Sequence, residues 1–459
     1  MFKENTMKII KSIPADHLYY QETNVQPGDI KPTRERGVIN IYPEIRYQQI
    51  MGIGGAFTES AAYNYSLLSP AQRQDFMEKH FSKEKGLGYN FGRCHINSCD
   101  FSLDIYTYVQ EGDPDLSSFS LERDRKYVIP FIKDALKYTG QDLMLFASPW
   151  SPPAYMKDNN SMVEGGCLKE EYKSLWAKYY ARYIQEMEKE GIRISAVSVQ
   201  NEPRAIQPWE SCGYSAQQEA EFIEKYLAPT LDAEGLSHIK IIIWDHNKER
   251  VYERARDTLS NPAVNQRVWA VGHHWYSGDH FEGLRLVHEQ FNKVLISSEI
   301  CGLIYEDPIT LAEKYGKEIC EDLNNFTSYF CDWNLLLDEE GGPFHNRTRK
   351  PKPGQKIFED KSKGCHAPVL YNKQTGELIY TPIYYYIGHF SRYIQKGAYR
   401  VATTKHDHQL YTCAFQNPDG SLVLVVMNPT DAPMGANIRH KDTITGTTLP
   451  PHSITTAIL

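Results

Sequence analysis

Two glutamates each close a short apolar run. One run reads Ala196-Val-Ser-Val-Gln-Asn-Glu202-Pro203, the other Val294-Leu-Ile-Ser-Ser-Glu299-Ile300. Both runs are β-branched and apolar, as buried strands are. A carboxylate is a poor strand residue and costly in a buried place unless it has a partner. Two such ends predict a site built from two carboxyl groups. That pair suits cleavage of a glycosidic bond: one carboxylate attacks or stabilises the sugar carbon, and the other protonates the leaving oxygen. A single glutamate at a strand end is ordinarily a solvated loop residue. The weight here comes from having two, and from the elements that carry them.

Those elements alternate. Strand signals lie over 51–57, 89–96, 142–147, 194–200, 239–244, 268–276, 294–298 and 328–335. Helical periodicity lies over 69–80, 121–138, 169–190, 215–233, 251–259, 281–291, 311–324 and 383–394. Ser69-Pro70 supplies an N-cap and a proline at the first helical position, and Gly191 closes the third helix. Eight strands, each followed by a helix, predict a (β/α)8 TIM barrel over residues 45–394. This stretch is longer than the usual ~250 residues, so insertions are expected around 99–120, 150–168 and 336–380.

After Lys396 the helical period stops. Strands are expected over 399–404, 409–416, 421–427 and 443–449, with Asn417-Pro-Asp-Gly420 as a hairpin turn. Residues 395–459 therefore read as an antiparallel β-sandwich domain. Residues 1–44 contain strand pieces, such as 37–42, that are expected to join it.

In a barrel, functional groups sit at the C-terminal strand ends, and side chains alternate inward and outward. Alternation puts Ala196, Ser198, Gln200 and Glu202 on the inner face of the fourth strand. It puts Leu295, Ser297 and Glu299 inward on the seventh, with Val294 and Ile296 outward. It also turns Arg93, His95 and Asn97 inward on the second strand, and His274 and Tyr276 inward on the sixth. Asp100 follows just past the second strand. Trp150 and Trp333 are either core residues or stacking platforms for a sugar ring.

Composition excludes several classes. The chain has 459 residues, 41% hydrophobic and 24% charged, which suits a large globular core in more than one domain. With 50 basic and 58 acidic residues there is no basic stripe for nucleic acid. No run is long and apolar enough for a membrane span. The N-terminus lacks the apolar stretch of a secretion signal. The nine cysteines include no CxxC pair, and Cys94 and Cys99, five apart on an extended strand, are expected on opposite faces. The reading is of reduced thiols in a cytoplasmic chain. His273 and His274 are adjacent on a strand and face opposite ways, and no HExxH is present, so no metal is expected. Gly52-Ile-Gly-Gly55 fits neither phosphate-loop pattern, so no cofactor is expected either.

Several segments stand in a familiar order: Gly52-Ile-Gly-Gly-Ala-Phe-Thr-Glu59, Gly92-Arg-Cys-His-Ile-Asn-Ser-Cys-Asp-Phe-Ser102, Ala147-Ser-Pro-Trp-Ser-Pro-Pro153, Val199-Gln-Asn-Glu-Pro203, His274-Trp-Tyr276, Ser297-Ser-Glu299, Asp332-Trp-Asn334 and Gly388-His-Phe-Ser391. Asn-Glu-Pro alone is common among barrel glycosidases. The ordered set, spread over nearly the whole chain, resembles glycoside hydrolase family 30, which includes the lysosomal glucosylceramidase. The resemblance implies a barrel with an attached sandwich and a retaining mechanism, with Glu202 as acid/base and Glu299 as nucleophile. It implies that Asp100, Trp150, Asn201 and Trp333 hold the sugar and that Arg93 and Tyr276 flank the nucleophile. His274 and Asn334 match supporting positions. Related members act on β-glucosides, β-1,6-glucan, β-xylosides or β-fucosides. Strand two (His95-Ile-Asn-Ser98) and the stretch from Arg204 to Tyr214 depart from the lysosomal enzyme, so a lipid-linked substrate is not expected. Outside this class, an inactive carbohydrate-binding protein and an inverting hydrolase remain the alternatives.

Overall fold

The apolar runs of the middle of the chain pair side by side until the last meets the first. The computed structural model describes residues 6–29, 36–345 and 364–459. Its parallel strands Gly52–Ala56, Phe91–Ile96, Met144–Pro149, Ile194–Ser198, Lys240–Asn247, Val268–His274, Val294–Glu299 and Thr327–Asn334 form a closed barrel. These are barrel strands one to eight. Closure satisfies every strand edge, so the polar backbone is paired although both faces of the sheet are buried.

The two faces of each strand have different neighbours. Val197, Val199, Ile241, Ile243, Val271 and Leu295 pack outward in the large core shared with the helices. Phe91, Phe146, Ala196, Ile242, Ala270, Ile296 and Tyr329 fill the barrel from inside. The inner filling makes a floor on which polar groups at the strand ends stand.

Strand seven departs from the expected alternation. Ile296 belongs to the inner cluster and Leu295 to the outer one. Ser298, not Ser297, reaches inward, donating to Asp245. Regular alternation would therefore throw Glu299 outward. The ladder slips instead: Ser297 pairs with His273, but Glu299 pairs with His274. This extra residue turns Glu299 back into the barrel mouth, as a bulge does.

Other differences have local causes. A helix over Glu59–Leu67, capped by Thr58, was not expected. It is buried nearly all round and so lacks an amphipathic period. The helix expected over 121–138 is two pieces, Glu122–Lys126 and Val128–Thr139, parted at Tyr127. That expected over 215–233 widens into a π-turn, Ile223–Leu227, just before Pro229. Proline has no N–H for the helical ladder. Cys99 lies beyond the second strand, so strand alternation does not apply to it; all nine cysteines are free thiols.

The second body is a 10-stranded sheet folded over its own core of Ile9, Ile39, Ile41, Leu424, Val426 and Ile438. The C-terminal strands Ala398–Thr403, Tyr411–Gln416, Leu422–Asn428, Met434–His440, Thr443–Leu449 and Ser453–Ile458 make up most of it. N-terminal strands Met7–Ile13, Leu18–Val25, Gly28–Asp29 and Val38–Ile50 complete it. Strands 434–440 and 453–458 were not expected. Gly435 and Asn437 weaken the β signal of the first. A small sheet of Leu337–Asp338, Val369–Asn372 and Glu377–Tyr380 follows barrel strand eight. It occupies part of the expected insertion at 336–380, of which 346–363 lies outside the described residues.

One buried histidine stitches the two bodies together. His389, on the last barrel helix (Pro382–Ser391), contacts Thr456 Oγ1 and Ser12 Oγ, each at 2.8 Å. Burial first, and Arg392 second, push its pKa down to about 3. The folded state therefore keeps the ring neutral where the unfolded chain, near 6.5, binds a proton. Stability tied to this group is complete above that value and drains away as pH falls toward the folded one. The loss is on the order of 1 kcal/mol per pH unit within that window. In denaturant titrations across the window, the stability advantage of wild type over His389→Gln should shrink as pH falls. Parallel curves would show that this ring is not the group responsible.

Candidate active site

A buried guanidinium organises the barrel mouth. Arg93 projects inward from barrel strand two and is fully buried. Its Nη1 donates to Glu299 Oε2 at 2.6 Å, and its Nη2 to Asp245 Oδ2 at 2.9 Å and Asn201 Oδ1 at 2.8 Å. Nε donates to Ser148 Oγ at 3.1 Å. The guanidinium also lies 4.6 Å from the Trp150 ring centre and 5.3 Å from that of Trp333. Burial works against its charge, but Asp245 and Glu299 outweigh burial and hold it firmly protonated.

Asp245 is the matching anion. It accepts from Ser148, Ser198 and Ser298 as well as Arg93, and its Oδ1 lies 3.1 Å from His274 Nε2. Burial opposes its charge, yet Arg93 and His274 keep the carboxyl far below the ordinary range. Sequence reading missed Asp245 by ending the fifth strand at Trp244, three residues short of its observed end at Asn247. The signal was present: Ile241-Ile-Ile-Trp-Asp245 ends on a carboxylate just as the other two runs do.

The two glutamates meet above this pair. His274 Nδ1 lies 3.3 Å from Glu202 Oε1 and 3.9 Å from Glu299 Oε1. One imidazole nitrogen thus faces both carboxyls and is within hydrogen-bond reach of Glu202. Tyr276 Oη donates to Glu299 Oε1 at 2.9 Å, and Gln207 Nε2 to Glu202 Oε2 at 3.4 Å. Glu202 is held at φ 47, a conformation costing a non-glycine residue about 1–3 kcal/mol. Its N–H donates to Asp245 O at 3.0 Å.

Protonation follows from this crowding. Burial would lower His274, but the Glu299 charge and the Asp245 and Glu202 contacts raise it to about 9. Burial raises Glu299 above the ordinary carboxyl range, against the pull of His274 and Arg93. Burial also pushes Glu202 upward, but the His274 contact and charge, with His246, hold it below that range. The resting order is the reverse of that expected for an acid at Glu202 and an anion at Glu299. The two carboxyls face one histidine, so their protons belong to the pair.

Asp100, Trp150, Asn201, Tyr276 and Trp333 line one cavity of about 790 Å³ with Glu202 and Glu299. Burial, then Glu299 and other nearby carboxylates, raise Asp100 well above the ordinary range. Its Oδ1 is buried without a protein partner. The Trp150 and Trp333 rings stack on each other 5.0 Å apart. Arg93 and His274 lie fully buried beneath the cavity. Asn334 does not line it and instead accepts from Thr58 Oγ1 at 2.7 Å. Gln207, Trp209 and His246 line the wall beside Glu202 and were not expected. They lie in loops or past the strand end read for 239–244, where periodicity carries no information.

Comparison with known proteins agrees with this geometry. The glycosyl hydrolase family 30 TIM-barrel domain matches residues 50–394, and that family's beta sandwich domain matches 397–457. A Mus musculus protein named lysosomal acid glucosylceramidase is 32% identical over 427 residues, covering 88% of this chain and 80% of that one. An endo-1,6-beta-D-glucanase of Trichoderma harzianum is 26% identical, covering 83% and 78%. Among solved structures, SrfJ from Salmonella typhimurium aligns with TM-score 0.93 at 34% identity over 99% of both chains. An endo-beta1,6-glucanase aligns with TM-score 0.85 at 26% identity, also over 99% of both. The chain belongs to glycoside hydrolase family 30: it is a glycoside hydrolase with a TIM barrel and a C-terminal β-sandwich.

Removing Asp245 should leave Arg93 short of its main counter-ion. Truncating one partner of a buried pair costs about 3–5 kcal/mol, so Asp245→Ala should lose about that much in urea unfolding. A loss below about 1 kcal/mol would mean that Asp245 does not balance the buried cation.

Proposed function

We propose that the chain is a retaining β-glycosidase acting on β-glucosides by double displacement. Glu299 is the nucleophile and Glu202 the acid/base. The observation that carries this reading is the shared contact: His274 Nδ1 within 4 Å of both carboxyls, with Arg93 and Tyr276 on Glu299 alone. A retaining pair needs carboxyls only ~5–5.5 Å apart, so that the nucleophile reaches the anomeric carbon without an intervening water.

Charge balance supports the division of labour. Arg93 and His274 supply two positive charges and Asp245 one negative. The cluster is neutral when Glu202 and Glu299 together hold one proton. The short Arg93 bond and the Tyr276 hydroxyl favour negative charge on Glu299. Glu202 has the longer His274, Gln207 and His246 contacts. Once a glycosidic oxygen replaces one of these, the proton resides on Glu202, positioned for transfer to the leaving group. Attack by Glu299 makes a neutral ester. Glu202, now anionic, draws a proton from water, and the hydroxide oxygen displaces the ester.

The sugar sits between the stacked Trp150–Trp333 floor and the two carboxyls. Asn201 is fixed by Arg93 and is placed for a hydroxyl beside the reacting carbon. Asp100, kept protonated by its surroundings, offers its buried carboxyl to another hydroxyl. A second reading, endo-acting β-1,6-glucanase, is favoured by two endo-glucanase relatives that cover 83% and 99% of this chain.

Aryl β-glucoside hydrolysis tests the assignment. Glu299→Gln should lower kcat by several orders of magnitude, a loss of several kcal/mol of transition-state stabilisation. Equal rates in variant and wild type would refute the role of Glu299. Glu202→Gln should cost about 10²–10⁴-fold on substrates with poor leaving groups, and much less on activated ones. A uniform loss would remove Glu202 from the acid role. NMR of the first-formed anomer should show β-product; initial α-product would mean inversion. Faster turnover of β-1,6-glucan than of a disaccharide would select the endo reading.

A further inference from the structure

Beside the two glutamates the cavity holds a histidine that the reaction above does not use. His246, at the end of barrel strand five, presents Nδ1 3.7 Å from Glu202 Oε1. That nitrogen is buried and has no hydrogen-bond partner, and the residue is only 8% exposed. His274 Nδ1 stands 3.3 Å from the same oxygen. The three donor atoms all lie within 4.8 Å of one another.

We propose that His246, His274 and Glu202 form a binding site for a borderline divalent transition metal such as Zn²⁺, which acts as a reversible inhibitor. Two imidazoles and a carboxylate are the donors such ions prefer; Mg²⁺ and Ca²⁺ prefer oxygen alone. Only a neutral imidazole ligates, so the ion displaces the proton that His274 otherwise carries, and that proton leaves to solvent. A tetrahedral ion with bonds of ~2.0–2.1 Å holds its donors about 3.4 Å apart. The separations of 3.3 and 3.7 Å bracket that value. The remaining edge, between the two histidines, is within 4.8 Å and must shorten toward that value on binding.

A second feature points the same way. Asp245 Oδ1 sits 3.1 Å from His274 Nε2. A carboxylate on the far nitrogen fixes the ring and raises its basicity, the arrangement found behind metal-bound histidines. Asp245 is itself immobilised by Arg93, Ser198 and Ser298. An ion here ties up the Glu202 carboxylate and blocks proton transfer. This blocking effect rests on the role proposed for Glu202; the binding itself does not.

A second soft-ligand pair in the same cavity must be separated from this one. Cys301 and Cys365 bring their sulfurs to 3.3 Å. The full chain, stripped with chelator, is titrated with Zn²⁺ by calorimetry and with Co²⁺ by visible absorption. One ion per chain should bind, with the strong visible band of low-coordinate Co²⁺ and no near-ultraviolet thiolate-to-metal band. His246→Gln and, separately, Glu202→Gln should each weaken Zn²⁺ binding about tenfold or more, while Cys301→Ser should not. Mg²⁺ should produce no heat. Wild-type hydrolysis of an activated aryl β-glucoside should fall with added Zn²⁺ and return with chelator. Unchanged Zn²⁺ affinity in folded His246→Gln and Glu202→Gln overturns the site. So does a thiolate band that disappears in Cys301→Ser. Binding in the assigned place without loss of hydrolysis would leave the site standing and defeat the role of Glu202 instead.

Discussion

A positive charge buried inside the barrel is the constraint around which the mouth is arranged. Taking a guanidinium out of water costs several kcal/mol unless anions and acceptors replace its hydration. Arg93 receives them from other strands and strand ends: Ser148 from the third, Asn201 past the fourth, Asp245 from the fifth and Glu299 from the seventh. A lysine could not do this. Its compact ammonium has no planar fork for so many directions at once. The contacts that make Arg93 tolerable therefore also fix the relative positions of the groups around the cavity.

Strain gathers at the same place. Glu202, Trp244 and Asp245 all have positive φ, unusual for residues other than glycine. Such conformations persist only where the surroundings overdetermine them. Here the barrel ladder and the Arg93–Asp245 network do so. The benefit is direction: a strand end that continued in regular extension would not aim a carboxylate across the mouth. Strand seven reaches the same end by another route, slipping its ladder at Glu299.

The charges above the floor are few and interdependent. His274 joins the structural anion Asp245 to both glutamates, so a change in any of the four is felt by the others. The walls beyond them are less constrained. Relatives that share this architecture carry names as different as glucosylceramidase and endo-1,6-β-glucanase. A fold hosts several specificities, and the cavity lining distinguishes them. Gln207, Trp209 and His246 are part of that lining.

The strand and helix alternation was legible because burial on both faces of a parallel sheet makes continuous apolar runs, and amphipathic helices show their own period. Glu202 and Glu299 stood out because a carboxylate at the end of such a run needs a reason. Strand four kept the alternation expected of it, with Ala196 inside and Val197 and Val199 outside. Helix Glu59–Leu67 was hidden because full burial erases amphipathicity. The parity of strand seven was misread because a ladder slip depends on the neighbouring strand, not on the residues that slip. Asp245 and His246 gained their meaning only from partners on strands two, four, six and seven. The chain alone thus determined which residues form strands and which carboxyls close them, since those are properties of local sequence. Tertiary structure decided which way each carboxyl points and which charge it meets, because both depend on register and contacts between segments far apart in sequence.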